Sequence, residues 1–367
     1  MPQRVIMHID LDYFYAQCEE NANPSIRGKP VIVCVYSGRT PDSGVVSTSN
    51  YQARKFGVKA GIPIIRAKRL LQLEEAIFLP MNRPLYESVS SRIMNIINEN
   101  GDAFEKAGID EAYLDISNMS NGNFERARAI AAELKQQIFH QEHFTCSIGI
   151  GPNKLLAKIA SDHVKPDGLT TVEMGEMRRF LGGQRVNVIP GIGKKVEKRL
   201  NELNVKTVDD LARLDPIVLR EEFGKSLGNY LFQAARGEDD EKVQDRRMPT
   251  QFSRITTLKE NTRDHHIILP VLVDLAHSVC EKMQEQEMTC KTVSIIAILI
   301  DLTIHTKSVT LEAATNNFQR ITESLEGLLS YFLQSTPQAI LRRIGVRLSG
   351  LSKGSGQTNI DSFLRNQ

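Results

Sequence analysis

Three acidic residues flank two short apolar runs of this chain, and their placement restricts the fold more than any other feature of the sequence. The run at residues 5–11 is rich in β-branched side chains and contains Asp10 near its end, while Asp110 and Glu111 come just before a second run at residues 113–116. Both runs are typical of strands. If the two strands are neighbours, the three carboxylates converge on one sheet edge with no Lys or His among them, where they would repel one another.

Carboxylate oxygens gathered in this way are the hard ligands that Mg²⁺ prefers, and two such ions about 3.5–4 Å apart stabilise the attacking and leaving oxygens in phosphoryl transfer. The sequence therefore predicts a site for two Mg²⁺ ions at Asp10, Asp110 and Glu111. A single acid at a strand end more often caps a turn, and this is the interpretation for Asp12 and Asp115.

The length of the chain indicates more than one domain, because 367 residues, 41% of them hydrophobic, exceed what a single core comfortably fills. Five cysteines at wide, irregular spacing form neither a disulfide framework nor a zinc motif, which indicates free thiols in a reducing cytoplasm. The N-terminus lacks a signal-peptide pattern, and the longest apolar run, residues 294–300, is too short to span a bilayer. We therefore expect a soluble, cytoplasmic protein with no membrane contact.

The hydrophobic period changes repeatedly along the chain, which predicts an α+β fold. Helical spacing between residues 127 and 138 precedes a strand pattern at 145–150, so the first half is expected to be a sheet covered by helices, with an inserted block near residues 14–80. Short helices are expected over residues 172–237, followed by a polar, acidic hinge at 237–244. A second α+β domain is predicted beyond the hinge, with strands at 252–258, 292–302 and 340–348, helices at 267–283 and 318–332, and a flexible end from residue 349.

The net charge is only +2, but basic residues cluster in three segments. Residues 185–206 contain six basic and two acidic side chains, while residues 246–263 and 338–367 each contain five basic and one acidic. Any one of these segments could equally be a solvated face. Together they indicate an extended surface that follows a phosphate backbone.

Four long motifs carry a resemblance to a known family. They are HIDLDYFYAQCEE (residues 8–20), VVSTSNYQARKFGVKAGIP (45–63), GIDEAYLDIS (108–117) and GIGPNKLLAKIASDHVKPDG (149–168). In these motifs the chain resembles the Y-family DNA polymerases, especially the archaeal and bacterial DNA polymerase IV group, and the match runs nearly from end to end. Two departures are small: Gly108 stands where the family often has Ser, and Leu11 stands where Phe is common.

The resemblance implies a right-hand polymerase architecture with palm, fingers and thumb, plus a C-terminal α+β little-finger domain. The implied boundaries are 1–13 and 82–173 for the palm, 14–81 for the fingers, 174–238 for a thumb with a helix-hairpin-helix motif, 239–248 for a linker, 249–349 for the little finger and 350–367 for a flexible tail. The implied activity is template-directed, low-fidelity addition of deoxynucleotides to a primer 3′ end, past damaged template bases and without proofreading. The family also suggests a monomer.

The resemblance extends to individual residues of the site. Asp10, Asp110 and Glu111 match the catalytic metal ligands, with the Leu11 carbonyl as a further oxygen, and two Mg²⁺ ions are the implied cofactors, for which Mn²⁺ can substitute. Tyr15 matches the steric gate, a ring that fills the space a ribose 2′-hydroxyl would need. The positions that match the family's nucleotide-binding residues are Tyr13, Phe14, Tyr15, Thr48, Tyr51, Arg54 and Lys165. The first three could equally be core aromatics.

A predicted hairpin in the thumb matches the family's grip on DNA. Gly191 and Gly193 let the backbone approach closely, and N–H groups at the start of the next helix, beside Lys194 and Lys195, can bind a phosphate without reading sequence. A Gly-x-Gly turn alone is also compatible with an ordinary loop between helices.

A strand of the predicted little finger matches a family segment that grips template phosphates. Its basic residues are Arg342, Arg343 and Arg347, and strand alternation would place Arg343 and Arg347 on one side and Arg342 on the other.

The tail resembles the peptide by which replication proteins hold the sliding clamp, through Gln357, Ile360, Phe363 and Leu364. In a 3₁₀-type turn, residues three apart eclipse, so Ile360 and Phe363 would project together into an apolar pocket. Leu364 departs from the aromatic residue usual at its position. A frayed terminus with two incidental apolar residues is the alternative.

Two other functions remain open on the sequence alone. A catalytically inactive DNA-binding protein could use the same basic surfaces, but all three carboxylates and both phosphate-binding cations, Arg54 and Lys165, are present. A nucleotide cyclase also uses paired acids and two metals on a similar sheet, but the thumb and little-finger segments argue against it. Incorporation of labelled deoxynucleotides on a primed template distinguishes these alternatives from a polymerase.

Overall fold

A computed structural model describes residues 2–244 and 248–353 of the chain. By their contacts these residues form two compact units. Unit 1 contains the described residues up to 35 and from 45 to 244, and unit 2 contains residues 36–44 together with residues 248–353. The short segment 36–44 therefore belongs to unit 2, although the domain prediction assigned all of residues 14–81 to the fingers.

The helices and strands of the chain up to residue 244 alternate irregularly, as the changing hydrophobic period indicates. In chain order they are β1 (Ile6–Leu11), α1 (Phe14–Ala22), β2 (Val31–Tyr36), β3 (Gly44–Ser49), α2 (Tyr51–Lys55), α3 (Ile64–Leu70), β4 (Ile77–Pro80), α4 (Arg83–Asn98), β5 (Ala103–Lys106), β6 (Glu111–Asp115), α5 (Phe124–Glu142), β7 (Cys146–Gly151), α6 (Lys154–His163), β8 (Leu169–Thr171), α7 (Met177–Gly182), α8 (Lys194–Glu202), α9 (Val208–Arg213) and α10 (Pro216–Ala234).

A five-stranded sheet with the order β5-β6-β1-β7-β8 is the palm of unit 1. Its middle strand, β1, pairs antiparallel with both β6 and β7. All six residues of β7 are buried, because helices cover both faces of the sheet. The apolar runs at residues 5–11 and 113–116 are thus neighbouring strands, as the position of the acids requires.

Helix α6 lies unusually close to the sheet because a glycine faces it. A Cβ atom on Gly149 would come within 2.0 Å of the carbonyl oxygen of Ala157, so any side chain there would push α6 away from β7. Asn153 caps the start of the helix, and its side chain accepts a hydrogen bond from the backbone N–H of Leu156 at 2.9 Å. These contacts set the position of α6 relative to the end of β1.

Two smaller layers complete unit 1. Strands β3, β2 and β4 form a three-stranded sheet in that order, and α2 and α3 pack with it around a core that includes Ile32, Val46 and Ile64. Helices α7 to α10 pack around a separate core that includes Leu200 and Leu231. These two layers are the fingers and the thumb.

The acidic segment 237–244, which was predicted to be a hinge, is held against unit 1. The carboxylate of Asp239 accepts a hydrogen bond at 3.0 Å from a backbone N–H in the first turn of α6. Glu241 forms an ion pair with the nearly buried Lys154 at 3.0 Å, and Val243 is buried beside β1 and α6. These residues thus pack against α6 and β1, and acidic composition alone does not reveal this cationic partner on α6, whereas the role of the segment as a hinge stays a prediction.

Unit 2 is an α+β sandwich of one sheet and two helices. In chain order its elements are β9 (Gln251–Thr262), α11 (His265–Glu285), β10 (Met288–Leu299), β11 (Ile304–Thr315), α12 (Phe318–Ser335) and β12 (Leu341–Lys353). The antiparallel sheet has the order β11-β10-β12-β9, and both helices pack against one of its faces around a core that includes Leu272, Leu325 and Ile344. This layer is the little finger.

The segment 36–44 hydrogen-bonds to β9 and β12 at an irregularity in the pairing of these two strands. Along β12, Leu341 is opposite Thr262 but Arg343 is opposite Thr257, so part of β9 bulges out of the ladder. The Arg39 guanidinium donates to the carbonyl oxygens of Leu258 at 2.7 Å and Arg342 at 3.3 Å. Arg39 thus satisfies two backbone acceptors that lie at the bulge.

Some sequence-based expectations need correction. The tail was expected to begin at residue 350, but β12 continues to Lys353 because it pairs with β10 as far as Met288. Strand β11 was not predicted. The five cysteines are all buried and none is in a disulfide, as predicted. None of the helices within residues 2–244 and 248–353 is long and apolar enough to cross a membrane.

Candidate active site

The pairing of β1 with β6 brings the three acids together. Asp10 and Glu111 are direct partners across the two strands, and the backbone N–H of Leu11 donates to the carbonyl oxygen of Asp110 at 2.8 Å. Asp110 ends the loop and Glu111 begins the strand, so their side chains reach the same sheet end from consecutive positions. The predicted convergence of Asp10, Asp110 and Glu111 is therefore present.

Cations lie among these carboxylates, contrary to the expectation that no Lys or His would be there. Lys165 Nζ is 2.7 Å from Asp10 Oδ1, and Lys158 Nζ is 2.5 Å from Glu111 Oε2. His8, which is fully buried, places Nε2 at 3.2 Å from the same Glu111 oxygen. The lysines lie on or just after α6, and no local pattern shows that this helix crosses the acidic end of the sheet.

The environments of the two aspartates disfavour their charge. Burial raises the pKa of Asp10 to about 6, although the Lys165 charge acts in the opposite direction. Burial and the neighbouring charge of Glu111 also raise the pKa of Asp110. A bound divalent cation would relieve both effects, and the donors are the carboxylate oxygens that Mg²⁺ prefers.

Glu111 differs from the two aspartates, because two hydrogen-bond donors stabilise its ionised form. The hydrogen bond from His8 and the contact with Lys158 lower the pKa of Glu111 to about 2 despite its partial burial. Its second oxygen, Oε1, lies beside Gly108: a Cβ atom placed on Gly108 would be 3.5 Å from Glu111 Oε1 and also 3.5 Å from Asp110 Oδ1. The absence of a side chain at Gly108 leaves this space open.

The two acids that were interpreted as structural are structural. Asp12 is buried and accepts hydrogen bonds at 2.8 Å from the Ser147 hydroxyl and from the Asp167 backbone N–H. Asp115 accepts from the backbone N–H of Ser117 at 2.9 Å and from its hydroxyl at 2.6 Å. Asp12 thus uses both carboxylate oxygens to hold neighbouring segments, and Asp115 uses Oδ1 to hold the turn that follows β6.

The three consecutive aromatic residues at the start of α1 have different surroundings. The side chain of Phe14 is buried in the core beside Phe144, so only its backbone can reach a nucleotide. Tyr13 is half-buried and has a left-handed backbone with a φ of 37°. The half-buried ring of Tyr15 stacks on Tyr86 with centroids 4.5 Å apart and 17° between planes.

The predicted phosphate-binding residues face a common region. The Arg54 guanidinium lies over the Tyr51 ring at 4.7 Å, and its Nε donates to the carbonyl oxygen of Ser49 at 2.9 Å. Burial raises the pKa of Tyr51, on which the charges of Arg54 and Lys165 also act. Thr48 is half-buried in β3, three residues before the first residue of α2. Tyr51, with Arg54 over its ring, and Lys165 beside Asp10 thus border the acidic end of the palm sheet.

The predicted DNA contacts of the thumb are on its surface. Gly191 has a φ of 88°, and the hydroxyl of Tyr230 donates to the preceding carbonyl oxygen of Pro190 at 2.6 Å, which holds the hairpin. Gly193 precedes the first residue of α8 and leaves its N–H groups uncapped by a side chain. Lys194 is exposed, as is Lys195 beside it.

The little-finger arginines lie on β12 of unit 2. Arg343 and Arg347 alternate with buried residues such as Val346, so they occupy the sheet face opposite the helices. Arg342 lies at the bulge, where simple alternation does not apply. The Nε atom of Arg347 is buried and has no hydrogen-bond partner among the residues that the structure describes. The predicted clamp-binding residues Gln357, Ile360, Phe363 and Leu364 lie outside the described residues.

Comparison with protein families accounts for most of the chain. Residues 9–162 match the impB/mucB/samB family, residues 249–360 match the C-terminal domain of that family, and residues 187–239 match the thumb domain of DNA polymerase-iota. The DNA polymerase IV of Nitrosopumilus maritimus is 43% identical over 364 residues, which cover 99% of this chain and 100% of that protein. The chain belongs to the Y family of DNA polymerases, in the DNA polymerase IV group.

Other Y-family members agree with this assignment. The DNA polymerase IV of Methanosarcina acetivorans is 44% identical over 369 residues, covering 99% of this chain and 100% of that protein. A Dbh-Dpo4-Dbh Y-family polymerase chimera has a TM-score of 0.88 at 39% identity, covering 95% of this chain and 100% of that one. The insertion ternary complex of Dbh DNA polymerase has a TM-score of 0.67 at 39% identity, covering 94% and 98%. The chain is thus a DNA-directed DNA polymerase, a nucleotidyltransferase of the translesion class.

Proposed function

We propose that this Y-family polymerase adds deoxynucleotides to a primer 3′ end by two-metal phosphoryl transfer, copies past damaged template bases and does not proofread. The observation that carries the proposal is the pairing of Asp10 with Glu111 beside Asp110, which places three carboxylates at one end of the palm sheet. Primer–template DNA and deoxynucleoside triphosphates are the proposed substrates, in agreement with the ternary complex formed by the related Dbh polymerase.

Asp10, Asp110, Glu111 and the Leu11 carbonyl are the groups that would hold the metal ions. Two Mg²⁺ ions, or Mn²⁺ in their place, would supply Lewis-acid stabilisation of the attacking and leaving oxygens. The donors fit, since the described residues at this end of the sheet offer hard oxygens and the two aspartates are destabilised by burial without a divalent cation.

The residues around the carboxylates would hold the triphosphate of the incoming nucleotide. Arg54 and Lys165 supply positive charge, and Thr48 and Tyr51 supply hydroxyl donors, for the charge that moves onto the pyrophosphate leaving group. Tyr13 and Phe14 would contribute backbone N–H groups at the start of α1, where the helix dipole also favours an anion. Because Nε of Arg54 is held by a carbonyl oxygen, its remaining nitrogens are oriented before the nucleotide binds.

DNA would be gripped through its phosphates and not through its bases. The exposed hairpin of Gly191, Gly193, Lys194 and Lys195 presents backbone N–H groups and charge to one phosphate region. On unit 2, Arg342, Arg343 and Arg347 would bind template phosphates. Contacts of this kind carry no sequence information, as a polymerase that copies any template requires.

The family matches support the proposed low fidelity and absence of proofreading. The matched family regions, residues 9–162, 187–239 and 249–360, leave no internal stretch long enough for a separate exonuclease domain. A mismatched primer end would therefore persist. We also propose that the protein acts as a monomer in the cytoplasm, where its five buried thiols would stay reduced.

Primer extension tests the proposed mechanism. Asp10→Asn and Glu111→Gln should each lower nucleotide incorporation by at least about 100-fold, because charge stabilisation in the transition state is lost, while affinity for primer–template stays close to native. Asp274→Asn, the same chemical change at an exposed position of α11, is the control and should extend normally. Full activity of either active-site variant would refute the assignment. Absence of any incorporation by the native protein, with cyclic nucleotide formed instead, would favour a cyclase.

A further inference from the structure

His8 is a buried group that the proposed mechanism does not use. It lies on β1 two residues before Asp10, has no exposed surface, and packs its ring beside Tyr113 with centroids 4.7 Å apart. A polar ring in a core is costly unless its nitrogens are hydrogen-bonded.

Both nitrogens of His8 have partners, one on each side. Nδ1 is 2.7 Å from the Ser161 hydroxyl of α6, and Nε2 is 3.2 Å from Glu111 Oε2 and 3.5 Å from Lys158 Nζ. Because an ionised carboxylate can only accept, Nε2 carries a proton and donates it to Glu111, while Nδ1 lies beside the Ser161 hydroxyl, which is also 2.8 Å from the carbonyl oxygen of Lys158. Nε2, the nitrogen that faces Glu111, therefore offers no lone pair to a metal, although ligand atoms of His8, Asp10 and Glu111 lie within 4.8 Å of one another.

The consequence concerns the two oxygens of Glu111. Oε2 is held by His8 and Lys158, whereas Oε1 faces the open space beside Gly108 and Asp110. Lys158 is a flexible side chain, but the imidazole is fixed by the core and by Ser161, so the ring determines the direction of the carboxylate. Partners of this kind orient a ligand before the metal arrives.

We propose that His8 is a positioning residue that, with Ser161 behind it, fixes the Glu111 carboxylate so that Oε1 is presented to the metal. The inference rests on the proposed two-metal function. It assigns a role to the buried His8–Ser161 pair across β1 and α6.

Metal binding without turnover tests the inference. The full chain is combined with a dideoxy-terminated primer–template and the next deoxynucleotide, and Mn²⁺ binding is measured by electron paramagnetic resonance. His8→Leu should raise the dissociation constant for Mn²⁺ about 10–100-fold, the usual cost of losing a partner of a metal ligand. His8→Gln, whose amide can donate to Glu111, should stay within a few-fold of native. In extension assays the half-saturating Mg²⁺ concentration should rise for His8→Leu, with little change in the KM for primer ends.

Each alternative result has a distinct meaning. Native Mn²⁺ affinity in a folded His8→Leu variant, with thermal unfolding checked in EDTA, would overturn the inference but leave the two-metal function intact. Equal losses in the Gln and Leu variants would make His8 a ligand and also overturn it. If the Leu variant does not fold, Ser161→Ala decides, since it removes one hydroxyl and should still weaken Mn²⁺ binding about 10-fold. A native protein that binds no Mn²⁺ would instead reject the proposed metal site.

Discussion

Tyr15 rests on a second tyrosine, and this support bears on its proposed role as the steric gate. The Tyr86 ring beneath it is fully buried, and the Tyr86 hydroxyl donates to Glu19 at 2.5 Å. A ring stacked on a fixed ring cannot retreat easily from an added hydroxyl group. Exclusion of ribonucleotides would then be a repulsive effect, which needs a rigid wall and no bond to the correct sugar.

Replacement of Tyr15 tests this role. Tyr15→Ala should lower the preference for deoxynucleotides over ribonucleotides by about 10-fold or more, the range that a small steric difference supplies, with little loss of deoxynucleotide incorporation. Single-nucleotide insertion with both kinds of triphosphate gives the ratio. Tyr331→Ala, the same change at an exposed position of α12, should keep the native ratio. Unchanged sugar discrimination in Tyr15→Ala would show that another group is the gate.

Individual residues differ in how far the sequence reveals their role. The convergence of Asp10, Asp110 and Glu111 was predictable because each acid lies at the end of an apolar strand, and pairing of the two strands brings these ends together. The partners of these acids were not predictable, because Lys158 and His8 meet only through the packing of α6 on β1. The residues that make these contacts are far apart in the sequence, and the local hydrophobic period does not reveal which distant segments pack together.

At the scale of elements, the distance between α6 and β7 depends on Gly149. Gly149→Ala should destabilise the protein by about 1–3 kcal/mol through overpacking, since the new Cβ would meet backbone atoms of α6 that have no room to move. The same displacement should lower extension activity, because α6 carries Lys158. Calorimetric unfolding and primer extension measure the two effects.

Gly327→Ala is the matched control for this change. Gly327 lies in the exposed part of α12, and a Cβ there meets no atom within 4 Å. Alanine in an open helical position should raise stability by about 0.5–1 kcal/mol and leave extension unaffected. Equal behaviour of the two alanine variants would contradict the close packing of α6.

Elements with strong periodicity were predictable, and elements defined by their neighbours were not. Helices α5, α11 and α12 and strands β1, β7, β9 and β12 lie within a few residues of their predicted positions. Strand β11 was missed because it is an edge strand with mostly exposed or half-buried side chains, so its apolar signal is weak. The docking of residues 237–244 was also missed, because it depends on ion pairs such as that of Lys154 with Glu241.

At the scale of the whole molecule, binding to DNA should depend on charge. If the basic residues neutralise phosphates, affinity should fall steeply with salt and depend little on template sequence. Arg343→Ala should reduce the slope of log affinity against log salt by about one unit, corresponding to one lost phosphate contact. Fluorescence anisotropy over a range of salt concentrations measures the slope. Arg320→Ala on α12 is the control: it removes an exposed charge from the helical layer and should leave the slope unchanged. An equal change of slope in both variants would exclude a specific role for Arg343.

The C-terminal residues should matter only when a sliding clamp is present. Deletion of residues 357–367 removes the predicted clamp-binding peptide, including Ile360 and Phe363, and should spare unassisted extension. Stimulation by the cognate clamp should be lost, because a tether raises the local concentration of polymerase at the primer end. A Gln357→Ala variant of otherwise full length should show a partial loss. Native stimulation of the truncated chain would show that the resemblance has no functional meaning.

The position of Arg39 has a consequence for recombination between relatives. In sequence, the little finger looks like a module that could be exchanged at a single crossover near residue 247. In the structure, unit 2 also contains residues 36–44, and Arg39 completes its backbone hydrogen bonding at the bulge of β9 and β12. A chimera with one crossover would therefore combine the little-finger sheet of one parent with residues 36–44 of the other. Transfer of the whole unit needs two further crossovers, one on each side of residues 36–44.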